Sequence, residues 1–382
     1  MPARFKLMLV AGEPSGDAHS ATLVRALREA APDVEFEFFG ATGPLMRAEG
    51  VDTTVNSDSL AIMGIMEVAR VFPRFIRAFR NLKVAALERK PDAVVLVDWP
   101  EFNLRLASSL HRQGIKVIYY ISPQLWAWRP GRMKIMKALV DRVLVIFPFE
   151  QALYERAGVD VRFVGHPLLE MTAPSGDRAS LLREFRLDAS RPVVALLPGS
   201  RPNELTRLAP VLGQAAGRIA TRVPPVQFIV ARAPHLDDAL FAPLGAPAGR
   251  LVEGRTDDVL SVSDVVLTAS GTATVQTAMH GKPMVVLYRL SPLTYALGKP
   301  LARVEMYAMV NLIAGRRVVT ELIQDACTPA AVADEAVALL TDAARREEMV
   351  RELAAVKAAL GGPGASARAA DAVLELVRQR RG

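Results

Sequence analysis

Short apolar runs rich in β-branched residues recur along the chain, and segments of helical length separate them. They fall at residues 6–11, 35–39, 93–97, 117–121 and 142–146 in the first half, and at 193–197, 227–231, 265–268 and 284–288 in the second. Runs that are apolar throughout, without alternation, suit strands buried on both faces, which is the habit of parallel sheets covered by helices. The order therefore predicts an α/β protein with two Rossmann-like, doubly wound sheets. A chain of 382 residues is long enough to give each sheet its own core. Gly165-His166-Pro167 and the turn-rich Thr172-Ala173-Pro174-Ser175-Gly176-Asp177 lie between the two series and read as a linker. The first domain is thus expected over residues 1–168 and the second over 178–360, and the amphipathic stretch 364–382 is expected to pack with the first. Ligands of such sheets bind outside the carboxyl ends of the strands, so the expected site is a cleft between the two domains.

Composition narrows the chemistry. The single cysteine, Cys327, excludes an intramolecular disulfide and any multi-cysteine metal site. The five histidines are widely separated, with no metal-ligand spacing, so neither a metal nor a cofactor is expected. This cysteine usage points to a reducing cytoplasm. The apolar run near the N-terminus is interrupted at Glu13, Ser15 and Asp17, which favours a buried strand over a signal peptide. No stretch reaches the roughly 18 to 20 apolar residues that a bilayer crossing needs. A formal charge of +7 favours anionic partners, whether phosphates, nucleotides or an acidic lipid surface. With three tryptophans and six tyrosines there is no evident stacking surface, and no nucleic acid partner is expected.

Several turns carry residues suited to chemistry. Gly12-Glu13-Pro14-Ser15-Gly16-Asp17 joins the first strand to a helix, where glycine lets backbone approach a ligand and free amides favour a sugar hydroxyl or phosphate. Read alone, it is equally a capped connection with Ser15 or Asp17 as N-cap. Gly40-Ala41-Thr42-Gly43-Pro44 lacks the dinucleotide fingerprint and reads as a structural turn. Asp98 ends the run at 93–97 and should project from the carboxyl edge, as a general base or as a helix cap. Pro198-Gly199-Ser200-Arg201 offers a guanidinium suited to a diphosphate. Ser270-Gly271-Thr272-Ala273-Thr274 opens a helix with small residues and hydroxyls, and is the best phosphate cradle in the chain. Trp126, Trp128 and Arg129 share a loop suited to a phosphorylated, acylated substrate or to burial between the domains. Residues 60–80 interleave Met63 and many other apolar side chains with arginines, which suits acyl chains and an anionic membrane surface, although one face must serve the core.

These motifs form an ordered set. Ala11-Gly12-Glu13-Pro14-Ser15-Gly16-Asp17, Leu60-Ala61-Ile62-Met63-Gly64, Asp98 with Phe102-Asn103, and Ser122-Pro123 with Trp126-Ala127-Trp128-Arg129 occupy the first half. Val164-Gly165-His166-Pro167, Leu197-Pro198-Gly199-Ser200-Arg201, Ala269-Ser270-Gly271-Thr272-Ala273-Thr274 and Asn311-Leu312-Ile313-Ala314-Gly315 follow. Spanning nearly the whole chain, the set resembles the lipid A disaccharide synthase family. The resemblance implies a GT-B fold and an inverting, metal-independent transfer of 2,3-diacylglucosamine from its UDP derivative to the 6-hydroxyl of 2,3-diacylglucosamine 1-phosphate. It implies Asp98 as base, Arg201 and the residues Ser270, Gly271, Thr272, Ala273 and Thr274 on the diphosphate, Asn311 on the nucleotide, and Glu13 and Ser15 on the acceptor side. It also implies a homodimer, associated peripherally with the cytoplasmic face of an inner membrane.

The sequence departs from the family at Trp99 and Glu101, where alanine and aspartate are usual, and at Met309-Val310, where leucine-proline is usual. Gln276 stands in place of a glutamate suited to accepting both ribose hydroxyls, so Gln276→Glu is expected to tighten UDP binding. Two other readings fit the same scaffold: an isomerase like UDP-N-acetylglucosamine 2-epimerase, and a lipid-binding protein without catalysis.

Overall fold

A computed structural model describes residues 3–59, 68–123, 131–234, 236–245, 249–291 and 306–379. The chain divides into two compact units, Met1–Pro167 with Leu360–Gly382, and Leu168–Ala359.

Unit 1 runs β1 (Ala3–Ala11), α1 (Pro14–Ala30), β2 (Val34–Thr42), α2 (Pro44–Ala48), β3 (Asp52–Asn56), α3 (Val68–Arg89) and β4 (Ala93–Val97). It continues with α4 (Pro100–His111), β5 (Lys116–Tyr120), α5 (Arg132–Leu139), β6 (Arg142–Val145), α6 (Pro148–Arg156) and β7 (Val161–Phe163). Its sheet has the order β3-β2-β1-β4-β5-β6-β7, with every pair parallel. The apolar runs seen in the sequence are the middle of this sheet, and Val94, Val95, Leu96 and Val97 have no exposed surface. A strand covered by helices on both faces has no polar side to show, which is why these strands lack alternation.

Unit 2 contains α7 (Leu168–Met171), α8 (Arg178–Glu184), β8 (Val193–Leu197), α9 (Pro202–Arg222), β9 (Gln227–Arg232) and β10 (Arg250–Glu253). Then come α10 (Thr256–Val262), β11 (Val265–Ala269), α11 (Thr272–Met279), β12 (Met284–Tyr288), α12 (Met309–Ala314), β13 (Thr320–Ile323), α13 (Pro329–Thr341) and α14 (Ala343–Ala359). The order is β10-β9-β8-β11-β12-β13, again parallel throughout. The turn-rich stretch at 172–177 packs inside this unit, because Ser175 gives both its N–H and its hydroxyl to Asp258, at 2.5 and 2.9 Å.

The last helix, α15 (Ala365–Gln379), returns to unit 1 and packs on α1. Arg142, at the start of β6 and 2% exposed, fastens it there. Its Nη1 donates to the Ala372 carbonyl at 2.9 Å and to Glu375 at 3.0 Å, while its Nε donates to Asp160 at 2.8 Å. Where the chain re-enters unit 1, the His166 N–H bonds the Leu360 carbonyl at 3.0 Å. The Arg368 guanidinium gathers the carbonyls of Val164, Gly361, Gly362 and Pro363. Among the described residues no helix is long and apolar enough to cross a membrane.

Candidate functional site

Both sheets have the strand order of a doubly wound fold, so each has one place where the order reverses: between β1 and β4 in unit 1, and between β8 and β11 in unit 2. In doubly wound folds the connections after such strands diverge to opposite faces, and ligands bind at the carboxyl edge between them. The turns singled out in the sequence follow these four strands: Gly12 to Ser15 after β1, Asp98 after β4, Gly199 to Arg201 after β8, and Ser270 to Thr274 after β11.

Asp98 and the next residue, Trp99, both adopt left-handed backbone, with φ of 49° and 48°. Two consecutive side-chain-bearing residues in this region are strained, and such strain persists only where the surroundings impose it. Here the Asp98 carbonyl accepts the Tyr119 hydroxyl at 2.6 Å and the Asn103 side-chain amide at 2.8 Å, while the Asp98 N–H reaches the Tyr120 carbonyl at 3.3 Å. Burial, and then the nearby Asp98 charge, push the Tyr119 phenol well above its ordinary pKa, so it remains a protonated donor. The result is a half-buried carboxylate on a fixed backbone at the reversal point.

Trp99 explains part of its own departure from the family pattern. Its indole stacks on Phe102 with centroids 4.0 Å apart and lies across Gly12, where a Cβ would come within 2.1 Å of it. Gly12 is therefore the residue that admits the indole.

Asp17 has a different task from capping its own helix. Its carboxylate, 2% exposed, accepts the N–H groups of Gly43, Leu45 and Met46 at 3.0, 2.8 and 3.0 Å, and so caps α2. Ser15 does not cap α1 either: Glu13 holds the N-cap position and makes no side-chain cap bond. Glu13 is half-buried and Ser15 exposed in the first turn, both on the Asp98 edge of the sheet. Met63, Trp126, Trp128 and Arg129 lie outside the described residues. Of the basic apolar segment, the described side chains in α3 expose Ile76 among Arg74, Arg77 and Arg80.

Two buried histidines flank this region. Burial lowers the pKa of His19, in α1, to about 4. Burial, with a smaller push from His19, lowers that of His166 to about 3. His166 packs on the Phe147 ring with centroids 5.3 Å apart.

In unit 2, Gly199 has φ of 121°, and a Cβ there would lie 2.4 Å from a Glu204 carboxylate oxygen. That oxygen accepts the Ser200 N–H at 2.9 Å, which folds the loop over the start of α9 and leaves Arg201 exposed at its N-cap. Burial, and then the Glu204 charge, raise the pKa of Tyr288 at the end of β12, while the Arg201 charge works against them. The Ser270 hydroxyl donates to the Tyr307 carbonyl at 3.2 Å. The exposed Gly271 and Thr272 and the half-buried Ala273 follow, and Thr274 turns inward to bond the Gly271 carbonyl at 2.7 Å. The Thr274 N–H bonds the same carbonyl at 3.0 Å, whereas the Thr272 and Ala273 N–H groups ahead of it have no intrahelical acceptor.

Asn311 spends its side chain on bonds inside unit 2. Its Nδ2 donates to the Val319 carbonyl at 3.0 Å and to Glu321 at 2.9 Å, and its Oδ1 accepts the N–H groups of Val318 and Val319 at 2.8 and 3.0 Å. An amide has two donors and two acceptor lone pairs, so this buried side chain is saturated and its task is to shape the loop. Glu321 completes the arrangement by accepting the N–H groups of Tyr307 and Ala308, at 3.1 and 2.6 Å. Glu204, Tyr288, Tyr307 and Glu321 carry no functional motif in the sequence; Glu204 stands only at the start of a helical stretch and Tyr288 at the end of an apolar strand run. Among the described residues no group of three or more His, Cys, Asp or Glu side chains gathers as metal ligands do.

Two Rossmann-like units, one with a carboxylate on left-handed backbone and the other with an arginine after one strand and an open helix N-terminus after the strand beside it, define the GT-B class. Solved structures of similar fold include a putative UDP-N-acetylglucosamine 2-epimerase from Listeria monocytogenes (TM-score 0.65, 15% identity, 99% of this chain and 97% of that one). Another is the calicheamicin glycosyltransferase CalG4 (TM-score 0.59, 18% identity, 98% and 99%). At such identities the likeness concerns the fold, and it does not separate isomerase from transferase. The family does: the lipid-A-disaccharide synthetase model matches residues 7–373. The lipid-A-disaccharide synthase of Geobacter sulfurreducens is 46% identical over 376 residues, 97% of each chain. The chain belongs to the lipid-A-disaccharide synthetase family, and it is an enzyme, a glycosyltransferase of lipid A biosynthesis.

Proposed function

We propose that the chain condenses UDP-2,3-diacylglucosamine with 2,3-diacylglucosamine 1-phosphate, and that the two reversal points divide the work. Asp98 takes the proton from the acceptor 6-hydroxyl as that oxygen attacks the anomeric carbon of the donor. The bond from that carbon to the diphosphate breaks, UDP leaves with the electron pair, and attack from the opposite face yields the β-1,6-linked disaccharide 1-phosphate. Arg201 and the start of α11, Ser270 to Thr274, stabilise the charge gathering on the departing diphosphate. Gln276, one helical turn or about 6 Å further along, faces the ribose. Asn311 acts through the loop it shapes. Glu13 and Ser15 lie on the acceptor side, with Met63, Trp126, Trp128 and Arg129 toward its lipid.

The observation that carries the catalytic assignment is the pair of left-handed residues Asp98 and Trp99 at a sheet-edge reversal, pinned by Tyr119 and Asn103. The family carries the substrate class. The arginines around exposed Ile76 support docking on the anionic inner face of an inner membrane. A homodimer is part of the same reading.

The test is mass spectrometry of products from the two acylated substrates without added metal. Disaccharide 1-phosphate and UDP are expected in equal amounts, and Asp98→Asn should slow their formation by about 10² to 10⁴-fold. Formation of a 2-epimer from UDP-N-acetylglucosamine alone, or full activity in Asp98→Asn, would reject the reading.

A further inference from the structure

Gln276 is bonded in a way that its sequence neighbourhood does not suggest. Its Nε2 donates to Asp257 Oδ1 at 2.8 Å. His280, four residues on and just past the end of α11, brings its Nε2 to the same oxygen, also at 2.8 Å. An ionised carboxylate only accepts, so chemistry fixes both orientations. Gln276 must turn its amide nitrogen toward Asp257, and His280 must carry a proton on Nε2. The atom of Gln276 left over is Oε1, which accepts no hydrogen bond from the described residues. The side chain is only partly buried, and it sits one turn beyond Thr272.

We propose that Asp257 is a positioning residue for the donor nucleotide: it holds Gln276 so that a carbonyl, with both lone pairs available, is what meets the ribose hydroxyls. This rests on the proposal that the start of α11 holds the diphosphate. In this arrangement the negative charge sits one residue behind the contact, on Asp257, and the contact itself is a neutral acceptor. A glutamate at 276 would set two carboxylates at the separation now spanned by a hydrogen bond. The neighbour therefore reverses the expectation from residue 276 alone: with Asp257 in place, Gln276→Glu weakens UDP binding instead of tightening it.

Titration of the full chain with UDP and with its 2′,3′-dideoxy analogue tests this in Gln276→Glu, Asp257→Asn and the double variant. Gln276→Glu is expected to bind UDP about tenfold more weakly, since like charges replace a hydrogen bond. Asp257→Asn should lose about three- to tenfold and, unlike a residue that only stabilises the fold, should bring UDP and the dideoxy analogue closer in affinity. In the double variant the amide introduced at position 257 can donate to the carboxylate introduced at position 276, and binding is expected within about threefold of the wild type. Tight binding by Gln276→Glu alone, losses that simply multiply in the double variant, or an unchanged preference for UDP in Asp257→Asn would each overturn the proposal. Should Asp257→Asn fail to fold, Asp257→Ser takes its place in the dideoxy comparison. Arg201→Ala separates the two levels. If it weakens UDP while the 257 and 276 variants do nothing, only the positioning role falls; if Arg201→Ala also has no effect, the nucleotide site itself is misplaced and both fall.

Discussion

Asp17 and Asp98 are both aspartates near the carboxyl edge of one sheet, and their surroundings give them opposite tasks. Asp17 commits its carboxylate to three backbone N–H groups of the α2 turn. In Asp17→Asn, one oxygen becomes an NH₂ facing an N–H, so a loss of about 1–3 kcal/mol is expected in urea unfolding. Asp98 instead commits its backbone to Tyr119 and Asn103 and keeps its carboxylate at the reversal point. The sequence could place both on the edge but could not separate them, because the distinction lies in Gly43, Leu45 and Met46, far along the chain from Asp17. Trp99 and Gly12 form a second such pair. Gly12→Ala drives a methyl into the indole and should lower stability by about 1–3 kcal/mol, whereas adding Trp99→Ala should recover part of that loss. Melting temperatures of the two single variants and the double variant check the coupling; additive losses would refute it.

At the scale of elements, the legible parts were those with one dominant physical cause. The central strands β1, β4, β5, β8, β11 and β12 are buried on both sides and announced themselves as apolar runs. The edge strands β3, β7, β10 and β13 did not, since each is short and partly solvated, as in the mostly exposed Arg250–Glu253. The glycine and serine turns were legible because a strand-to-helix connection needs them. The bonds that tune the site, such as Asn311 to Glu321 or Gln276 to Asp257, depend on chain segments brought together by folding, and no local pattern encodes them. The attachment of α15 belongs to this second kind. Arg142 is buried between Asp160 and Glu375, which Arg162 also reaches from the surface, so removing it takes away the buried donor to both carboxylates and to the Ala372 carbonyl. Arg142→Ala is expected to cost about 1–3 kcal/mol, for the lost hydrogen bonds, and to loosen α15. Limited proteolysis should then cut near residues 361–364 faster than in the wild type; unchanged cleavage would show that packing on α1 holds the helix unaided.

At the scale of the whole molecule, two cores of separate composition share one chain, and they should respond differently to acid. His19 and His166 both belong to unit 1, and burial holds them neutral, with pKa lowered from the ordinary 6.5 to about 4 and about 3. Between the unfolded and folded pKa the unfolded chain binds more protons, so stability rises with pH there. The contribution is complete above about pH 6.5 and is lost progressively as the pH falls toward the folded values. Each imidazole accounts for roughly 2 kcal/mol by pH 5, with a limiting slope of about 1.4 kcal/mol per pH unit. The tryptophans offer a selective reporter, because Trp99, Trp126 and Trp128 are the three in the chain and all lie in unit 1. Tryptophan fluorescence in urea should therefore show the midpoint of unit 1 falling between pH 7.5 and pH 5, and His19→Gln should flatten that dependence by about one proton's slope. A fluorescence midpoint that stays constant across this range would mean that the two imidazoles are not held neutral, and that water reaches the helix start beside the Asp98 edge.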